Sequence, residues 1–71
     1  MAKNLSDKEI DEVMIKANDL LGVEDQLQPL HKRQVNDVLN RSILRPDSLT
    51  KGDLDYIRRT RDFYKKIIEP F

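Results

Sequence analysis

His31 is the only histidine among 71 residues. It is therefore the one side chain whose unperturbed titration suits acid–base work near neutral pH. It borders an apolar helical stripe, where a lone imidazole reads first as a partly buried packing group. No serine stands close to it in sequence, and the chain has neither a nucleophile elbow nor a phosphate-cradling glycine loop. Asp7 with Asp11 and Glu9 with Glu12 are spaced to share a helix face. Paired carboxylates hold hard cations, but at a helix start the positive end of the dipole accounts for them as well. A calcium loop counted from Asp47 has Gly52 at its sixth position and then fails. Leu49 and Lys51 take the third and fifth positions, and Arg58 stands at the twelfth, where a bidentate glutamate belongs. Cysteine is absent, which removes disulfides, thiolate zinc sites, iron–sulfur clusters and cysteine nucleophiles together. The expectation is a protein that is not an enzyme and has no catalytic, metal or cofactor site.

The elements that would position these residues are helices. Ser6 with Glu9 spells a capping box, and Leu5 with Ile10 flanks it as a hydrophobic staple. Leu49-Thr50 followed by Asp53-Leu54 repeats that grammar. The side chains beyond the two caps diverge, so the likeness is shared capping chemistry and not an internal repeat. The pattern predicts helices over about 6–21, 29–44 and 50–68. The first ends at Gly22, a good residue just past a helix. The second opens on Pro29, which suits a first helical position, and stops before Pro46, which disfavours helical geometry at Arg45. No strand-like alternation occurs, so the expected fold is all-α, a compact three-helix bundle forming one small domain over 1–71. Its expected core is Ile10, Val13, Ala17, Leu21, Val35, Val38, Leu39, Ile57, Tyr64 and Ile67, with Ile43 on the same stripe as the other apolar residues of helix 2.

Helix 3 is the most informative element. Leu54, Tyr56, Ile57, Phe63, Tyr64, Ile67 and Ile68 cover about half its circumference, more than one partner helix covers. It is expected to act as the spine between helices 1 and 2, with its tyrosine hydroxyls at the rim where one end stays wet. All four aromatic residues lie between 56 and 71. The expected function is protein binding by a small regulator or adaptor. Its interface candidates are Tyr56, Phe63, Ile67 and Phe71, and its partner is another protein or a second copy of the chain.

Charge supplies the alternative. Residues 1–28 carry three lysines against seven acids, a net of −4, and residues 29–71 carry ten lysines and arginines against six acids, a net of +4. Helix 2 has Asp37 as its only acid, so Lys32, Arg33, Arg41 and Arg45 are the candidates for nucleic-acid binding. On helix 3, opposite charges at four-residue spacing (Asp55–Arg59, Arg58–Asp62, Asp62–Lys66, Lys65–Glu69) point to a self-neutralised, solvated face. The turn from Arg45 to Leu49 is longer than that of a usual helix-turn-helix. No apolar run is long enough to span a membrane, and Met1-Ala2-Lys3-Asn4 does not lead into a signal stretch. The expected compartment is the cytoplasm.

Asp19-Leu20-Leu21-Gly22-Val23, then a helix, then Arg45-Pro46-Asp47 and an aromatic final helix, resembles the order of elements in a J-domain. That family stimulates heat-shock chaperone ATPases through a His-Pro-Asp turn. The resemblance covers about 50 residues and implies a co-chaperone role dependent on Asp47. Arg45 stands where the family has histidine, the family's alanine- and lysine-rich second helix is missing, and the first helix here is longer.

Overall fold

Both helix starts close as capping boxes in the computed structural model, which describes residues 4–70. The Glu9 N–H donates to Ser6 Oγ at 3.2 Å, and the Ser6 N–H donates to the Glu9 carboxylate at 2.9 Å. Asp53 and Thr50 repeat both bonds at 3.2 and 2.9 Å. The staple residues Leu5, Ile10, Leu49 and Leu54 are all buried. These caps open α1 (Asp7–Leu21) and α3 (Lys51–Phe63); α2 (Pro29–Leu44) lies between them, and a short α4 (Lys65–Ile68) follows. One-turn 3-10 segments at Glu24–Gln26 and Pro46–Ser48 make the connections. No strand occurs among the described residues, and the fold is the small all-α bundle expected.

Inter-helix bonds set the directions. The start of α2 meets the end of α3, through Gln28 and His31 to Tyr64, and Arg41 near the end of α2 meets Asp53 at the start of α3. Those two helices are therefore antiparallel. Lys51, Arg58 and Arg61 of α3 reach back to Glu9, Glu12 and Asp19 of α1 in the same order along the chain. Hence α1 and α3 run parallel.

The core gathers Val13, Ala17 and Leu20 of α1, Val35 and Val38 of α2, and Leu54, Ile57 and Tyr64 at the far side. Complete burial of side chains such as Leu20, Leu49 and Ile57 contributes about 1.5–3 kcal/mol each. The spine is α1, not the third helix: α1 packs extensively on both others, whereas α2 and α3 touch sparsely. Ala17 at the centre of the α1 stripe has no bulk to hold neighbours off, and its burial is complete.

Other expectations change with that placement. Ile67 leaves the core and is 39% exposed, and Ile43 is 57% exposed. The buried residues of α2 (Val35, Val38 and Ser42) face α1, and Ile43 sits about 100° around the helix from their centre. Leu21 and Leu39 are only half-buried against the core, while Leu5, Leu20, Leu27, Leu49 and Leu54 join it. Gly22 ends α1 in right-handed geometry at φ −64°, ψ −20°, so the glycine is not there for a left-handed turn. The third helix does not run unbroken to residue 68. It stops at Phe63; Tyr64 takes φ −97°, ψ 13°, and a single further turn follows. No proline or glycine marks that break, which coincides with the seating of the Tyr64 side chain against the start of α2.

Candidate functional site

Tyr56, Thr60 and Phe63 recur at helical spacing along α3, and together with Arg59 and with His31 of α2 they line a groove between the two helices. Three rings close its end. Phe63 meets Tyr64 edge-on at 4.9 Å between ring centres, and His31 meets both, at 5.8 Å from Phe63 and 5.5 Å from Tyr64. Tyr64 is buried, yet Phe63 beside it is 68% exposed. The break after Phe63 thus leaves one aromatic ring inside and holds its neighbour against the outside of the same cluster.

Polar bonds fix the cluster. Gln28, the residue that caps α2, has no side-chain bond at the helix start. Its N–H donates instead to the Tyr64 hydroxyl at 3.0 Å, and that hydroxyl lies 2.7 Å from His31 Nδ1. The tyrosine hydroxyls are therefore not at a wet rim: Tyr64 supplies a cap from 36 residues away. The Tyr56 hydroxyl is buried with no hydrogen-bond partner. Such a group forgoes the bonds water would give it, at a cost of about 1–3 kcal/mol.

The interface candidates separate. Tyr56 and Phe63 line the groove, and Ile67 lies one turn past Phe63, partly exposed on α4. Phe71 lies outside the described residues. Thr60 is not singled out by the sequence, and Arg59 reads there only as the partner of Asp55 on a solvated face. Carrying the Tyr56–Phe63 stripe through its polar position would have found Thr60.

The nucleic-acid candidates do not form one patch. Arg41 is committed: its guanidinium binds Asp53 through two bonds of 3.0 Å and Asp37 through another at 3.0 Å. Burial raises the Asp53 carboxyl, but the bonds from Arg41 and from the Thr50 N–H outweigh it and hold the group below its ordinary range. Asp53 likewise raises Arg41. Lys32, Arg33 and Arg45 are exposed and have no ion pair among the described residues. However, Lys32 and Arg45 stand thirteen positions apart, about 20 Å along the helix axis.

The charge asymmetry is used inside the molecule. Arg58 binds Glu12 at 2.6 and 2.8 Å, Lys51 binds Glu9 at 2.8 Å, and Arg61 bridges Asp19 and Glu69. Of the four pairs expected along helix 3, Asp55–Arg59 alone forms among the described residues, at 3.0 Å. Lys51 draws the Glu9 carboxyl down to about 2, and Arg58 lowers Glu12 in the same way. Glu9 and Glu12 at the start of α1 are thus ion-pair partners. Among the described residues no group of three or more His, Asp or Glu side chains is arranged to hold a metal ion, and no helix is long and apolar enough to cross a membrane.

Arg45 precedes the 3-10 turn Pro46–Ser48, in which Asp47 is exposed, at the far end of α2, and Arg45 stands fourteen positions and about 21 Å from His31. No family model, no curated protein and no solved structure matches the chain.

Proposed function

We propose that this protein is a non-enzymatic binding domain, a small regulator or adaptor, that docks a partner protein on the groove between α2 and α3. The observation that carries this reading is Phe63, a large aromatic side chain 68% exposed and yet held edge-on by two neighbouring rings. An anchor already fixed in place gives up little conformational freedom on binding, and aromatic anchors dominate the energetics of interfaces. Tyr56 and Ile67 extend the apolar surface on either side. A second copy of the chain on the same face is the homotypic form of the proposal. A cytoplasmic setting belongs to it too, since a chain without cysteine draws no benefit from an oxidising compartment.

The test compares three proteins immobilised in the folded state: the native chain, Phe63→Glu, and Ile15→Glu on the opposite, solvent-facing side of α1. A protein recovered stoichiometrically from nuclease-treated lysate, lost with Phe63→Glu and kept with Ile15→Glu, is the expected result. Equal recovery by all three removes the groove from consideration. Light scattering that finds only monomer at high concentration eliminates the homotypic form. The nucleic-acid alternative retains Lys32, Arg33 and Arg45. It requires binding that weakens steeply with salt and that disappears when Arg33 is reversed in charge.

A further inference from the structure

The same ring cluster determines which hydrogens the groove offers. The Tyr64 oxygen accepts from the Gln28 N–H, and among the described residues its own single hydrogen has one acceptor within reach, His31 Nδ1 at 2.7 Å. Were the imidazole hydrogen on Nδ1 instead, the hydroxyl hydrogen of a buried tyrosine would be left without an acceptor. Proton bookkeeping therefore places the His31 hydrogen on Nε2. That atom makes no hydrogen bond among the described residues and is not among the buried unpartnered groups. His31 thus offers the groove a donor. Arg59 adds a guanidinium on the same lining, and no carboxylate lines the groove. Lys32 and Arg33 follow His31 on α2, exposed and without ion pairs among the described residues. Asp55 competes for Arg59, but their pair is exposed on both sides, a kind of pair that yields readily.

From this we infer that the groove takes an acidic, apolar segment of a partner protein. A carboxylate accepts from His31 Nε2–H and the Arg59 guanidinium, while an adjacent apolar side chain covers Phe63. The inference rests on the docking reading above and adds the chemistry of the partner.

The probe is a displayed library of random twelve-residue peptides, selected on the native chain and then measured against Arg59→Glu and Phe63→Glu. Both positions are exposed, and circular dichroism verifies that the variants keep their helices. The expected winners combine Asp or Glu with a large apolar residue. They lose at least about tenfold in affinity with either variant, and Arg59→Glu selects basic peptides in their place. Winners without acids that still need Phe63 overturn the acidic-partner inference and leave the docking reading intact. Winners indifferent to Phe63→Glu, or no winners at all, overturn both. Displacement of the peptides by a single-stranded oligonucleotide transfers the groove to a different class of ligand and overturns the inference as well. Independently, long-range nitrogen–proton spectra are expected to show His31 protonated on Nε2; a hydrogen on Nδ1 removes the donor on which the argument stands.

Discussion

The two ends of the bundle are closed by different chemistry. At one end lie the starts of α1 and α3 and the finish of α2. There each helix start is satisfied by residues three apart in sequence, Ser6 with Glu9 and Thr50 with Asp53, over buried staple leucines. Long side chains then bind these local units together, with Lys51 on Glu9 and Arg41 on Asp53. At the other end α2 starts on Gln28, which has no side-chain cap. Its N–H is satisfied by a tyrosine from the last part of the chain, and three rings close the gap. The capped end has spent its polar groups on itself. The ring end keeps an exposed phenylalanine and an imidazole nitrogen without a bond among the described residues, so it is the end with something left for another molecule.

Tyr64 gives the severest test of that contrast. Tyr64→Ala removes a buried aromatic side chain and is expected to cost about 3–5 kcal/mol, enough to threaten folding of a 71-residue chain. Tyr64→Phe keeps the ring and orphans the Gln28 N–H and His31 Nδ1, for about 1–2 kcal/mol. Urea midpoints separate the two, and a neutral Tyr64→Phe would show that the hydroxyl does not matter to α2. At the capped end, Leu49→Ala opens space under the second staple and is expected to cost about 2–4 kcal/mol. Arg41→Ala leaves Asp53, only 19% exposed in its side chain, without its cation, for about 1–3 kcal/mol; an effect confined to α2 fraying would mean the two starts are not cooperatively joined.

Acid should act on the ion-paired edge. The Glu9 carboxyl is lowered from an ordinary 4.5 to about 2 in the fold by Lys51 and the Ser6 N–H, and Glu12, Asp53 and Glu69 are also lowered. The folded state therefore holds these protons more weakly than the unfolded chain does. The associated stability is fully present above pH 4.5 and is lost as pH falls toward about 2. Melting temperatures taken across that window should fall, and less steeply in Lys51→Met with Arg58→Met; a native curve that stays flat to pH 3 would contradict the assignment. The smallest expected effect is the most telling one. Phe63→Glu should leave the unfolding free energy read from urea titration within about 0.5 kcal/mol of native, because a ring so exposed contributes little to folding. A large loss there would make Phe63 a structural residue and weaken the case for the groove.

What could be read from the chain follows the range of the interactions. Ser6, Glu9, Thr50, Asp53, Pro29 and the apolar spacing of Ile10, Val13 and Ala17 act within a turn or two, so three helices and both starts were legible. Leu27 was not legible: it looks like a loop residue until a neighbouring helix covers it, whereas Leu49 declared itself through the staple it forms with Leu54. Arg41 reads as a free cation only while Asp53, its two-bond partner twelve positions away, is out of view; its second partner, Asp37, lies one turn back on the same helix. The break at Tyr64 was hidden for the same reason. Nothing beside it in sequence stops a helix, and its hydroxyl bonds to Gln28 across 36 positions. Helix propensity, capping and periodicity are local free energies, and by themselves they determined the elements and most of their inward faces. Which helix serves as the spine, which charges are consumed and which ring is left outside depend on contacts between distant segments. Those contacts exist only once the three helices have packed, and so the tertiary structure alone decided them.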